Sequence, residues 1–321
     1  MPVTTPPATR LALTDELLKD FEQRTDGHDR AGQFLSKDLE ALREIGYYRA
    51  PVPAGYGGQG FTLPELAVLH RRIGYRSASA ALAAGLHLSL AGAAADRARA
   101  GDTSTEWLLR AVADGEIIGT GQGRGEPGRD FAIQRAVPGG ALPSADRIIA
   151  TMHGREPAGI AFLDAVAAWS VVLAANVYLS AAQRAFDIAV EIGAGRTGQR
   201  LDGRSRTDDP LIRAGLAESV ADLDAIEAHL DSAAREWTER QVADAAWNRR
   251  LLSVKQHTTR TARAVVGRSL ESVGDRPARL GPVVEQLYRE VAAGAQHNPT
   301  QETILRALGS PDLTSRESFA R

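Results

Sequence analysis

The sequence predicts a mainly α-helical protein, with an N-terminal helical domain, a reduced β insert and a C-terminal four-helix bundle. Three observations carry this reading. Apolar residues recur at spacings of three and four along most of the 321 residues. The stripe breaks once, between Glu116 and about residue 160, where glycine and proline cluster. It then resumes in long periodic segments joined by loops, as in an up-and-down bundle. The expected bounds are a tail at 1–13, a helical domain at 14–115, a middle β region at 116–160, a bundle at 161–310 and a tail at 311–321.

Taken in order, Thr14 followed by Asp15 and Glu16 reads as a helix start, since acids suit the positive end of the helix dipole. Ser36 opens a second helix with Leu39, Leu42 and Ile45 on one face, and Gly46 can end it in a left-handed conformation. Residues 47–63 form a Pro/Gly loop. Pro64 suits a first turn, and Leu66, Leu69 and Ile73 continue as a stripe to Gly74. Residues 78–95 are almost all small or apolar, which predicts a helix enclosed on most sides. A short helix around Trp107 and Leu108 closes the domain.

From Gly119 to Gly140 there are seven glycines and two prolines. Three short apolar pieces, beginning at Glu116, Phe131 and Arg147, read as strands separated by turns. An insert of about 45 residues cannot fill a barrel or sandwich of its own and must lean on helices. The chain is then helical from about Asp164 to Ile192, from Asp209–Pro210 onward with Ile212, Leu216, Val220, Leu223, Ile226 and Leu230, and again through Trp247 to Gly274. Two shorter helices follow, Pro282–Val291 and Pro299–Leu308.

Composition excludes several functions. With 38 Lys+Arg against 40 Asp+Glu, the chain lacks the basic excess that nucleic-acid binding requires. Cysteine is absent, which removes disulfides, thiolate metal sites and thiol nucleophiles. The nineteen uncharged residues between Asp164 and Arg184 approach membrane-spanning length, but Asn176, Tyr178, Ser180, Gln183 and many alanines favour a buried interface helix. The opening MPVTTPPATR has no apolar stretch, so a cytoplasmic protein is expected, with no membrane partner.

Several strings, in this order, resemble the acyl-CoA dehydrogenase superfamily. Leu42-Arg43-Glu44-Ile45-Gly46-Tyr47, then Pro51-Val52-Pro53 and Tyr56-Gly57-Gly58-Gln59-Gly60, is similar to that family's first-domain signature. The stretch from Val254-Lys255 to Gly274, then Pro282 to Glu290, is similar to its last long helices. The resemblance implies a flavoprotein fold whose middle β domain is here cut to about half. It implies a flavin cofactor, FAD before FMN, a small-molecule or acyl-thioester substrate, and a homodimer or homotetramer. Thr151 and the loop from Glu126 to Asp130 would then face the isoalloxazine, while Arg196 and Thr300 would reach the diphosphate or ribityl chain.

The family's catalytic Glu falls, on this resemblance, at Asn298 in His297-Asn298-Pro299-Thr300. An amide cannot take a proton near neutral pH, and a positioned base is worth about 10²–10⁴ in rate. The resemblance leaves two ways to read this: some family members place the base on a different helix, and the family's monooxygenase branch also lacks that Glu. Asn298 before Pro299, with Gln301 beyond, also reads as a helix cap. His297 is either an acid/base group or an exposed loop residue. His87, beside Ser89 on the alanine-rich helix, faces either a pocket or the core. His70, His229 and His257 have no partners at metal-ligand spacing, so no metal site is expected. Gly123 to Gly128 matches GxGxxG without the helix a dinucleotide turn needs. Asp275 puts a negative charge where the family meets a phosphate. An atypical flavin oxidoreductase is the leading expectation. A flavin-free pseudoenzyme, a ligand-binding subunit, or a redox-neutral lyase or cyclase is the alternative.

Overall fold

A computed structural model describes residues 10–31, 35–122, 130–135, 148–153, 157–195, 205–273 and 281–309. The chain divides into two compact units: residues 1–73, 79–173 and 234–243 form one, and residues 74–78, 174–233 and 244–321 the other.

In the first unit, α1 (Asp15–Ala31) starts where expected, with Thr14 Oγ1 accepting the Leu17 N–H at 3.2 Å. Helix α2 (Ser36–Glu44) stops at Gly46, whose φ of +75° few side chains adopt. The following loop makes two tight turns, Tyr47–Arg49 and Ala54–Tyr56. A Cβ on Gly58 would lie 2.1 Å from the Val52 carbonyl oxygen, so only glycine fits in the Tyr-Gly-Gly string. Helices α3 (Leu63–Arg76) and α4 (Ala78–Arg99) follow. The small residues of α4 admit close neighbours, and the Trp169 ring occupies the space a Cβ on Gly92 would need.

Asp96, near the end of α4, is buried and organises the polar core of this unit. Its Oδ2 accepts from the indoles of Trp169 at 2.6 Å and Trp237 at 2.9 Å, and its Oδ1 accepts from Arg99 at 2.8 Å. Arg99 also donates to the carbonyls of Gly60 and Phe61 at 3.2 Å, tying the glycine loop to α4. A buried carboxylate is tolerated only with partners of this kind.

Helix α5 (Glu106–Ala113) ends with Gly115 N–H on Val112 O and Glu116 N–H on Ala111 O, both at 3.0 Å. Glu116 therefore caps a helix, and the first strand begins two residues later than the sequence reading placed it. The strands β1 (Ile118–Gln122), β2 (Asp130–Arg135) and β3 (Ile148–His153) form an antiparallel sheet in chain order. Thr120 pairs with Ile133, and Ala132 with Thr151.

Helix α6 (Pro157–Ala194) starts earlier than the apolar stripe suggested, because Pro157 is preorganised for a first turn. Helices α7 (Pro210–Arg240), α8 (Ala245–Val273), α9 (Gly281–Ala293) and α10 (Gln301–Leu308) follow among the described residues. The second unit takes most of the bundle. Asp209 caps α7 by accepting the Leu211 N–H at 2.8 Å. Arg206 closes the end of α8, donating to Ser272 O at 2.7 Å and Glu271 O at 3.2 Å.

Helix α4 and residues 160–194 of α6 are long and apolar enough to cross a membrane by length and composition. Burial of 72% and 56% of their most apolar windows accounts for that character within the fold.

Candidate functional site

The site is built in the second unit on the turn 294–300, between α9 and α10. The turn is short because α9 unwinds locally: Gln296 and His297 both donate their backbone N–H to Ala293 O. Gln301 N–H then reaches back to Ala295 O at 2.8 Å. The Asn298–Pro299 peptide is cis.

Two side chains from other helices hold this turn. Lys255, on α8, is 2% exposed, and its Nζ donates to both His297 O and Pro299 O at 2.5 Å. The two carbonyls flank Asn298, so one buried ammonium fixes the backbone on both sides of it. Burial draws the Lys255 pKa down to about 8. Tyr178, on α6, is also buried, and its hydroxyl is hydrogen-bonded to His297 Nδ1. Its ring lies against Gly294, where a Cβ would stand 3.0 Å from Cε2 and Cζ. The His297 pKa is lowered by burial and then by the Lys255 charge.

Thr300, not Asn298, caps α10. Its Oγ1 accepts the Thr303 N–H at 3.3 Å, and its backbone is extended. The Asn298 cap expected from the sequence is thus corrected: the helix starts at Gln301, and the hydroxyl nearest its first turn takes the role. Beside this start lies an open cleft of about 540 Å³. It is lined by Ala295, Gln296, Thr300, Gln301, Glu302, Leu305 and Arg306. Glu302 and Arg306 within it pair at 2.7 Å.

His87 belongs to the core of the first unit and is 1% exposed. Its Nδ1 accepts the Ile118 N–H and its Nε2–H donates to Tyr48 O, each at 3.1 Å. Burial drives its pKa to about 4. With both ring nitrogens used, His87 joins α4 to β1 and the Tyr48 turn, and has no free valence for a substrate; the pocket-facing reading is corrected to the core one.

Thr151 lies in β3, and Asp130 in β2 is paired with His153. Glu126, Arg196, Asp275, the Gly123–Gly128 string and the residues after Pro311 lie outside the described residues. Of the named site residues, the structure brings His297, Asn298 and Thr300 together in one turn. Tyr178 and Lys255 escaped sequence reasoning. The available signal was Lys255 itself, a cation on the same helix face as Leu251, Val254 and Ala262. Sequence spacing also hid one pair: the His229 and His257 rings meet across α7 and α8 with Nδ1 atoms 3.4 Å apart. Among the described residues no group of three potential ligands is placed for a metal ion.

Residues 9–116 match the acyl-CoA dehydrogenase N-terminal domain, and residues 172–302 the acyl-CoA dehydrogenase C-terminal domain. The chain belongs to the acyl-CoA dehydrogenase superfamily. The two matches flank the reduced β region, as the resemblance implied. Among curated relatives of this superfamily, the Bacillus subtilis (strain 168) protein YdbM, a candidate acyl-CoA dehydrogenase by name, is 26% identical over 99 residues. That match spans 31% of this chain and only 26% of YdbM.

Solved structures share the fold over nearly the whole chain. KijD3 in complex with FMN and dTDP-3-amino-2,3,6-trideoxy-4-keto-3-methyl-D-glucose superposes with a TM-score of 0.75 at 22% identity, covering 99% of this chain and 97% of that one. A nitrososynthase from Micromonospora carbonacea var. africana gives 0.76 at 23%, covering 98% of both chains. The dibenzothiophene monooxygenase TdsC from Paenibacillus sp. A11-2 gives 0.71 at 17%, covering 93% of this chain and 96% of that one.

Proposed function

We propose that this protein is a flavin-dependent monooxygenase acting on a nitrogen or sulfur atom of a small-molecule substrate. The observation that carries the reading is the turn 294–300, Gly-Ala-Gln-His-Asn-Pro-Thr, which has no carboxylate. A dehydrogenase of this superfamily needs a base for the substrate α-proton, and Asn298 cannot be one. An oxygen-transfer reaction has no such requirement. The fold neighbours support the same direction, since they include a named monooxygenase and an FMN complex with an amino sugar.

FMN is favoured over the FAD expected from the sequence, because KijD3 and TdsC are both known as FMN complexes. The cleft at the start of α10 fits a phosphate-bearing ribityl chain. Gln296 and Gln301 offer amide donors, and Glu302 is neutralised by Arg306, whose guanidinium it engages. When bound, the reduced flavin supplies two electrons and a site for dioxygen, so that one oxygen atom reaches the substrate and the other leaves as water. His297 supplies a hydrogen-bonding group at the turn, Lys255 holds the backbone that carries it, and Thr300 fixes the first turn of α10. A homo-oligomer is part of the same reading.

Titrating the purified protein with FMN and with FAD, followed by flavin fluorescence, tests this. Quenching with tighter binding of FMN is expected. A protein that quenches neither flavin would leave the flavin-free alternatives in its place.

A further inference from the structure

We infer that His297 works as a neutral hydrogen-bond donor through Nε2, and that Tyr178 and Lys255 are the positioning residues that hold it in that state. This deepens the flavin reading and rests on it for the ligand: the acceptor would be an oxygen atom of the flavin or of the substrate, carrying partial or full negative charge.

The tautomer follows from the Tyr178 hydroxyl. Its ring is 1% exposed, and burial raises its pKa, so it keeps its hydrogen. A buried hydroxyl hydrogen requires an acceptor. Among the described residues its partner is His297 Nδ1. A phenol donates to an imidazole nitrogen only if that nitrogen is bare, so the ring hydrogen of neutral His297 sits on Nε2. Were Nδ1 to carry it instead, the ring would donate to the phenol oxygen and leave the phenol hydrogen with no acceptor.

The same contacts oppose the imidazolium. A second proton would have to go on Nδ1, against the Tyr178 hydroxyl. Lys255, the charged group that acts on this ring, adds repulsion. Among the described residues, Tyr178 from α6, through its hydrogen bond, and Lys255 from α8, through its charge, are the titratable groups that bear on His297. Lys255 also acts mechanically, since its bonds to His297 O and Pro299 O fix the backbone from which the ring projects. His297 is partly exposed at the turn, and Nε2 is the nitrogen not bonded to Tyr178.

This arrangement separates two kinds of chemistry. A base for proton abstraction needs a bare nitrogen facing the substrate, and here the bare nitrogen is turned to Tyr178. A neutral N–H facing outward stabilises negative charge on an acceptor without itself bringing a charge, the role of a preorganised donor.

Long-range ¹H–¹⁵N correlation spectra of the histidine rings in the flavin-free protein read the tautomer directly, with His297 assigned by its disappearance in His297→Gln. The expected wild-type result is the Nε2–H tautomer, staying neutral to a pH below the ordinary histidine midpoint. In Tyr178→Phe the lost hydrogen bond should shift the tautomer ratio roughly ten-fold toward Nδ1–H. In Lys255→Met the His297 pKa should rise, because a repelling charge is gone. An Nδ1–H tautomer in the wild type, or an unchanged ratio in a folded Tyr178→Phe, would overturn the inference. The wild-type spectrum decides even where a variant fails to fold. Failure of the monooxygenase reading is seen separately, in the flavin titration, and leaves the tautomer result intact.

Discussion

His87 and His297 carry the same tautomer and have opposite fates. In both rings Nδ1 accepts a hydrogen bond, from Ile118 N–H in one and from the Tyr178 hydroxyl in the other. In His87 the remaining Nε2–H is spent on Tyr48 O inside a core. In His297 it is left at an exposed turn. The comparison shows that the incoming bond sets the state of an imidazole, while its role is set by what the fold leaves over. The first unit seals its polar groups, as the closed set of Asp96, Trp169, Trp237 and Arg99 also illustrates. The second unit spends a buried tyrosine and a buried lysine on presenting one.

The largest test of the contrast is removal of each ring. His87→Ala leaves a buried N–H and a buried carbonyl unpaired and opens a cavity, so a loss of about 3–5 kcal/mol is expected in urea unfolding. His297→Ala takes the acceptor from the buried Tyr178 hydroxyl but opens no core cavity, so it should cost less, about 1–2 kcal/mol. Equal losses would erase the distinction.

Acid should act next. The folded pKa of His87, about 4, lies below the ordinary 6.5, and that of His70, about 3, lies lower still. Both rings resist protonation in the fold while the unfolded chain accepts it. Their contribution is therefore complete above pH 6.5 and is lost as pH falls, amounting to about 3 kcal/mol for His87 by pH 4. Unfolding curves between pH 7 and pH 4 would reveal it, and His87→Gln should flatten the slope. A stability independent of pH across this window would contradict the sealed-core account.

The smallest effect concerns the turn itself. Thr300→Ala removes the cap of α10 and should cost about 1 kcal/mol. Faster amide exchange confined to Thr303 and its neighbours would locate the loss. Exchange unchanged there would mean that the Thr300 hydroxyl is not what starts the helix.

Much of the fold was legible because its signals are local. Thr14, Gly46 and the Asp209–Pro210 pair act within one turn of where they stand, so a linear reading finds them. Errors arose where two local signals compete. Asn298 and Thr300 are both good caps, and the choice fell to Thr300 because the preceding backbone is held by Lys255 two helices away in the chain. At Glu116 the β-like composition lost to the glycine-terminated end of α5, whose last hydrogen bonds it completes.

By itself, then, the sequence determined the helical class, the interruption by a small β region, the family and the missing carboxylate at position 298, since each depends on residue type, order or spacing along the chain. Only the tertiary structure decided what the histidines are for. The partners that set their state lie far off in sequence, 119 residues away for Tyr178 and His297, and 42 for Lys255 and His297. A hydrogen bond depends on distance in space, and a linear pattern carries none of that until the helices are packed.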